Sequence, residues 1–132
     1  MRPPTGRPDW LGLFLPRINR RQPRESPNPP NEQDLERLEE LREQGSRLKL
    51  PHPVRGHLVF DGEASARKAA DLLGKEGFSC TVRAAPDGSW VLTAIVHVVP
   101  TPGALTKLRE QFEAVTAACG GSYRGWDAPI VY

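Results

Sequence analysis

Side chains that perform chemistry are scarce in this 132-residue chain: it has three histidines, two cysteines, and aromatics at only 7%. Cys80 and Cys119 lie far apart, without the close spacing of metal-binding cysteines. Both fall at expected core positions, where a thiol acts as a small apolar group, and nothing signals the export that favours a disulfide. No apolar run approaches the ~20 residues of a membrane span. The longest near the start, Trp10-Leu-Gly-Leu-Phe-Leu15, is too short for a secretory signal core and no small-residue cleavage site follows, so a cytoplasmic protein is expected. The nucleophile elbow GxSxG, the P-loop, HExxH and the dinucleotide fingerprint are all missing, which leaves the common hydrolase, nucleotide and zinc-protease chemistries without a foothold. Few aromatics and a short chain imply one compact aliphatic core.

What is present is unevenly distributed. Residues 1–31 hold six Arg against Asp9 and Glu25, a balance of +4; residues 32–132 hold 12 Lys and Arg against 14 acids, a balance of −2. The basic pI near 8.7 therefore comes from the tail, and the part able to fold is mildly acidic. Residues 1–30 also carry 8 of the 14 prolines. Proline at that density blocks helix and sheet bonding, so this segment is expected to be disordered, with the Trp10–Leu15 run as its one adhesive spot. A single domain is expected over residues 31–132.

Asn31 is a good N-cap, and Leu35, Leu38 and Leu41 suggest the apolar stripe of a surface helix over residues 31–45, with Asp34 as one of its first-turn acids. Alternation then predicts a strand over Val54–Phe60, with Val54, Gly56, Leu58 and Phe60 on one side and Arg55, His57 and Val59 on the other. A helix over Glu63–Lys75 presents Ala66, Ala69, Ala70 and Leu73. Strands are expected over Phe78–Ala85 and Ser89–Val99, joined by the Pro86-Asp87-Gly88 turn. Thr101 and Pro102 open a second main helix, whose Leu105, Leu108, Phe112, Val115 and Cys119 recur at steps of three and four. A last strand runs from Ser122 to about Val131. This order predicts an α+β fold: a ferredoxin-like βαββαβ sandwich with an extra leading helix, an antiparallel sheet, strands one and three central, and the main helices on one face. The leading helix covers either an edge or part of the other face.

Three punctuated segments carry a family likeness. Asp87-Gly88-Ser89-Trp90, Val99-Pro100 and Gly120-Gly121-Ser122-Tyr123-Arg124-Gly125-Trp126-Asp127, at these separations, resemble the regulator of ribonuclease activity B family from about Leu41 to Val131. The resemblance implies a non-enzymatic protein with no cofactor, whose partner is ribonuclease E or a related endoribonuclease and whose effect is less RNA cleavage. Its motifs are turns and packing residues, so it transfers no site residues. The Arg- and Pro-rich extension lies outside it.

Strand parity gathers Arg55, His57, Arg83, Ile95 and His97 on the face opposite the main helices, an apolar centre with a polar rim suited to a protein partner. His57 and His97 read as ordinary sheet-face histidines, because no acid or Cys at ligand spacing joins them. RNA-recognition modules share this topology but stack bases on aromatics of the central strands. Here those positions are Arg55, His57, Val59, Val91, Thr93, Ile95 and His97, so sequence-specific RNA binding by the sheet is not expected. Trp90 and Trp126 read first as core-edge packing and second as ligand or interface anchors. Two other readings stay open: a small-ligand sensor dimerising through its sheet, and RNA association through the basic tail.

Overall fold

The computed structural model describes residues 25–132. Along them run α1 (Glu32–Glu43), β1 (His52–Phe60), α2 (Glu63–Lys75), β2 (Ser79–Ala84), β3 (Trp90–Val98), α3 (Pro102–Cys119) and β4 (Gly121–Asp127). Of the segment expected to be disordered, residues 1–30, the stretch 1–24 with the Trp10–Leu15 run falls outside the described residues. From Glu25 the chain lies along the start of α3, where the Ser26 N–H donates to the Gly103 carbonyl at 3.1 Å.

The sheet order is β2-β3-β1-β4, every neighbour antiparallel, so the α+β reading and the central pair hold. β1 pairs with β3 without a break from His52↔Val98 to Phe60↔Trp90. Inward residues of these strands, Val54, Leu58, Phe60, Leu92, Ala94 and Val98, are buried together with Leu73, Leu105, Leu108 and Phe112 of the helices. Small residues on α2, Ala66 and Ala69, let that helix approach closely. The opposite side of β3 alternates out of phase, with Val91, Thr93 and Ile95 half-buried and His97 exposed.

Local chemistry explains the boundaries. Asn31 caps α1 by accepting the Gln33 N–H at 2.6 Å, and Thr101 Oγ1 caps α3 through the Ala104 N–H at 3.1 Å. Gly120 ends α3 at φ +80°, ψ +48°, the left-handed conformation a side chain disfavours. Asp87 Oδ1 accepts the Ser89 N–H at 3.0 Å and closes the hairpin.

Three expectations need correction, and one open alternative is decided. The inward stripe of α1 is Asp34, Leu38 and Leu41, stepping by four and three, while Leu35 is 41% exposed. Of the two positions left open for that helix, the edge is the one taken: it packs beside α3 and the edge strand β4. β1 starts two residues earlier than alternation of apolar residues suggested, because buried His52 occupies a core position: its Nδ1 donates to the Leu50 carbonyl at 2.7 Å and its Nε2 meets Ser46 Oγ at 2.6 Å. β4 stops at Asp127, short of Val131, since Pro129 cannot donate to a ladder and the chain turns back to the α1–β1 loop. There Val131 donates to Ser46 Oγ and accepts the Arg47 N–H.

The closest approach of helix to sheet is at Gly56, where an added Cβ would overlap the Phe112 ring. Phe112 in turn lies between Phe78 and Tyr123, with ring centroids 5.2 Å apart on each side. Gly56→Ala should destabilise the fold by ~1–3 kcal/mol through overpacking, and Phe112→Ala by ~3–5 kcal/mol through the cavity it leaves. In urea unfolding the double variant Gly56→Ala/Phe112→Ala should lose less than the two single losses combined. Additive losses would mean the two residues do not share this contact.

Candidate protein-binding face

The side of the sheet away from the helices is built by register. Arg55 of β1 faces Ile95 of β3 and Asp127 of β4; His57 faces Thr93; Val59 faces Val91 and Ser122. His97 faces Pro53, two residues along β3 from Ile95, so Arg55, Ile95 and His97 are close neighbours. Arg83 of the edge strand β2 faces Val91 and lies at the opposite corner. The five expected residues thus share one face, but four cluster at one end and Arg83 stands apart.

Sequence reasoning missed the residue that organises that cluster. Asp127 Oδ1 accepts from Arg55 Nε at 2.5 Å, and its Oδ2 meets His57 Nε2 at 2.9 Å. Partial burial would raise the carboxyl pKa, but the hydrogen bonds from His57 and Arg55 and the Arg55 charge outweigh it, so Asp127 titrates below its ordinary range. The only sequence cue was its place at the end of β4, with the right parity but 70 residues from His57. A bulge makes the pairing: Gly56 and Leu58 face Trp126 and Tyr123, and Gly125 between them takes φ +107°. The extra residue keeps both aromatics inward while turning Asp127 outward to Arg55.

His57 faces Thr93, four residues from His97 along β3, so the imidazoles do not converge. Among the described residues no group of three His, Cys, Asp or Glu could hold a metal ion, and no helix is long and apolar enough to cross a membrane. Cys80 and Cys119 are free thiols, each half-buried. What the face offers is hydrophobic area, in Val59, Val91 and Ile95, rimmed by charge. By alternation Arg124 joins Arg55 and Arg83 there; three Arg against Asp127 give +2, on a domain whose total is −2. The densest set of acids is on α1, six against Arg37 and Arg42.

A second concavity, of about 610 Å³, lies between α1, α3 and β4, lined by Asp34, Arg37, Arg109, Tyr123 and Trp126 among others. Its polar groups mostly satisfy one another. Buried Asp34 accepts the Trp126 indole N–H at 2.9 Å and the Arg109 Nε–H at 3.4 Å, and Arg37 lies 5.9 Å above the Trp126 ring. Burial, and then the Asp34 carboxylate, push the Tyr123 phenol far above its usual value, so it stays protonated. Trp126 is buried here, as its packing reading predicted; Trp90 is half-buried. The cleft is a joint that fastens α1 to the sandwich.

Two outcomes are expected. Asp34→Ala strands the buried indole and guanidinium and should cost ~1–3 kcal/mol in chemical denaturation, whereas Asp34→Asn keeps an acceptor for Trp126 and should cost less; equal losses would contradict the hydrogen-bonded joint. For Asp127 the folded pKa is the lower one, so its stabilisation is full above the unfolded value of ~3.9 and is lost as pH falls through the folded value. The pair is about half exposed, which limits the effect to ~1 kcal/mol or less. The stability gap between wild type and Asp127→Asn should be present at pH 6 and close below about pH 4; a gap independent of pH would contradict it.

The family model of the regulator of ribonuclease activity B matches residues 31–128, from the cap of α1 to just past β4. No curated protein matches the chain.

Proposed function

The chain belongs to the regulator of ribonuclease activity B family, and from that premise we propose that it has no catalysis of its own and acts by binding a ribonuclease E-type endoribonuclease, lowering its cleavage of RNA. Such a partner places it in the cytoplasm. The docking surface is the open sheet face, with Arg55, His57, Arg83, Ile95 and His97 as contact residues. The observation behind this choice is that α1, α2 and α3 all pack elsewhere, leaving β-branched residues of two central strands half-exposed inside a basic rim. An apolar centre excludes water while rim charges steer the approach. An acidic, partly apolar segment of the nuclease fits that rim.

The test is binding to, and inhibition of, a purified ribonuclease E-type enzyme by the double variant Arg55→Glu/Arg83→Glu. Arg83→Glu is a surface change of about 0.5 kcal/mol and Arg55→Glu gives up the exposed Asp127 pair at about 1 kcal/mol or less, so the fold should persist, as an unchanged circular dichroism spectrum would show. Association at low salt should slow by about tenfold or more, with dissociation less affected. Normal association by this variant, alongside loss of binding in Arg37→Glu/Arg42→Glu, would move the interface to α1.

A further inference from the structure

A second surface is apolar and stands apart from the open sheet face. Between α1 and the β3–α3 turn runs a groove of about 500 Å³, walled by Leu35, Leu38, Leu48, Val99, Pro100 and Pro102. Its size falls within the ~300–1,000 Å³ common for ligand pockets. Leu35, turned away from the core, is 41% exposed at its wall, and Leu50 in the adjoining loop is 37% exposed. A leucine at a surface helix position needs no explanation alone; a groove of this composition does.

The chain itself leads into this groove. Thr101, which lines it, donates its hydroxyl to the Glu25 carboxylate at 2.8 Å. Ser26 bonds to the Gly103 carbonyl and, through its hydroxyl, to Glu110 at 3.0 Å, and Asn28 bonds to the same carboxylate. Gly103 permits the contact, because a Cβ there would overlap Glu25. These bonds fix Glu25 at one end of the groove, with 24 residues of chain preceding it. Within them the Trp10-Leu-Gly-Leu-Phe-Leu15 run supplies the apolar side chains, and Arg17, Arg20, Arg21 and Arg24 follow. Leu15 is ten residue steps from Glu25, a reach of up to ~33 Å in extended chain.

Charge agrees with the apolar match. The helix that forms one wall bears six acids against two Arg; at the groove itself Glu39, paired with Arg42, stands against Lys49, so the acidic surface is the outer face of the helix. Before Glu25, the tail carries six Arg against Asp9. We propose that residues 10–21 dock in cis, the Trp10–Leu15 run filling the groove and its arginines lying against the outer, acidic face of α1. The tether makes the event intramolecular, with an effective concentration in the millimolar range, so even a weak contact is populated. Docked there, the tail covers the most acidic surface of the domain and leaves the open sheet face as the one presented to a partner.

Nuclear magnetic resonance on the full chain decides it. Nuclear Overhauser effects are expected between the Trp10 indole or Phe14 ring and the methyls of Leu35 or Leu48. Phe14→Asp should shift the amides of Leu35, Leu48 and Thr101 while leaving β1 and β3 unmoved. Leu35→Asp, at an exposed position, should remove the same contacts, and raising salt from 50 to 500 mM should weaken them. Random-coil shifts for residues 10–21, with no groove response to Phe14→Asp, would overturn the proposal. So would contacts that appear only between differently labelled chains in a mixed sample, which would make the occupant a second copy.

Discussion

The ring of Phe112 rests on the bare backbone of Gly56, at the centre of the middle strand. Nothing larger than glycine fits there, so the contact sets both the height and the rotation of α3 over the sheet. Phe78 and Tyr123 close on the two sides of the same ring. Leu105, Leu108 and Val115 are then committed to the interior by helical period, and α2 takes the remaining area through its alanines. With the long helix seated on this side, no helix among the described residues covers the out-of-phase residues of β1 and β3. The surface available to a partner follows from where one aromatic ring was placed.

The same division of faces explains the charge pattern. Acids concentrate on α1, whose one inward acid, Asp34, is buried and satisfied by Trp126 and Arg109. A buried carboxylate with two donors confers geometry more than stability: it specifies which turn of α1 meets β4. On the open face the only acid that alternation places is Asp127, engaged by Arg55 and His57, so the rim reads as basic to an approaching molecule.

Much of the fold was legible in the sequence because it is written at short range. The three-and-four repeat of Leu105, Leu108, Phe112 and Val115, the alternation from Val54 to Phe60, and the turn residues at Asp87-Gly88 and Gly120 each carry their meaning within a few positions. The candidate face was legible as parity alone. What parity could not supply were contacts between distant segments: Asp34 with Trp126 across 92 residues, and Asp127 with His57 across 70. Asp34 was open to misreading because first-turn acids are ordinary helix chemistry, yet the step from 34 to 38 to 41 is the better helical stripe. His52 was obscured for a similar reason, since its burial depends on Ser46 and the returning C-terminus.

The central claim is that a ribonuclease E-type partner sits on the uncovered sheet face. The most direct measurement is an amide titration of the isotope-labelled chain with the unlabelled nuclease, followed by the loss or shift of each signal. The account predicts that Val59, Val91, Thr93 and Ile95 on β1 and β3, together with Arg55 and Arg83, respond first, while α2 and the Asp34–Trp126 joint stay unchanged. Responses confined to α1 and the 610 Å³ cleft beside it, with the sheet face silent, would contradict it.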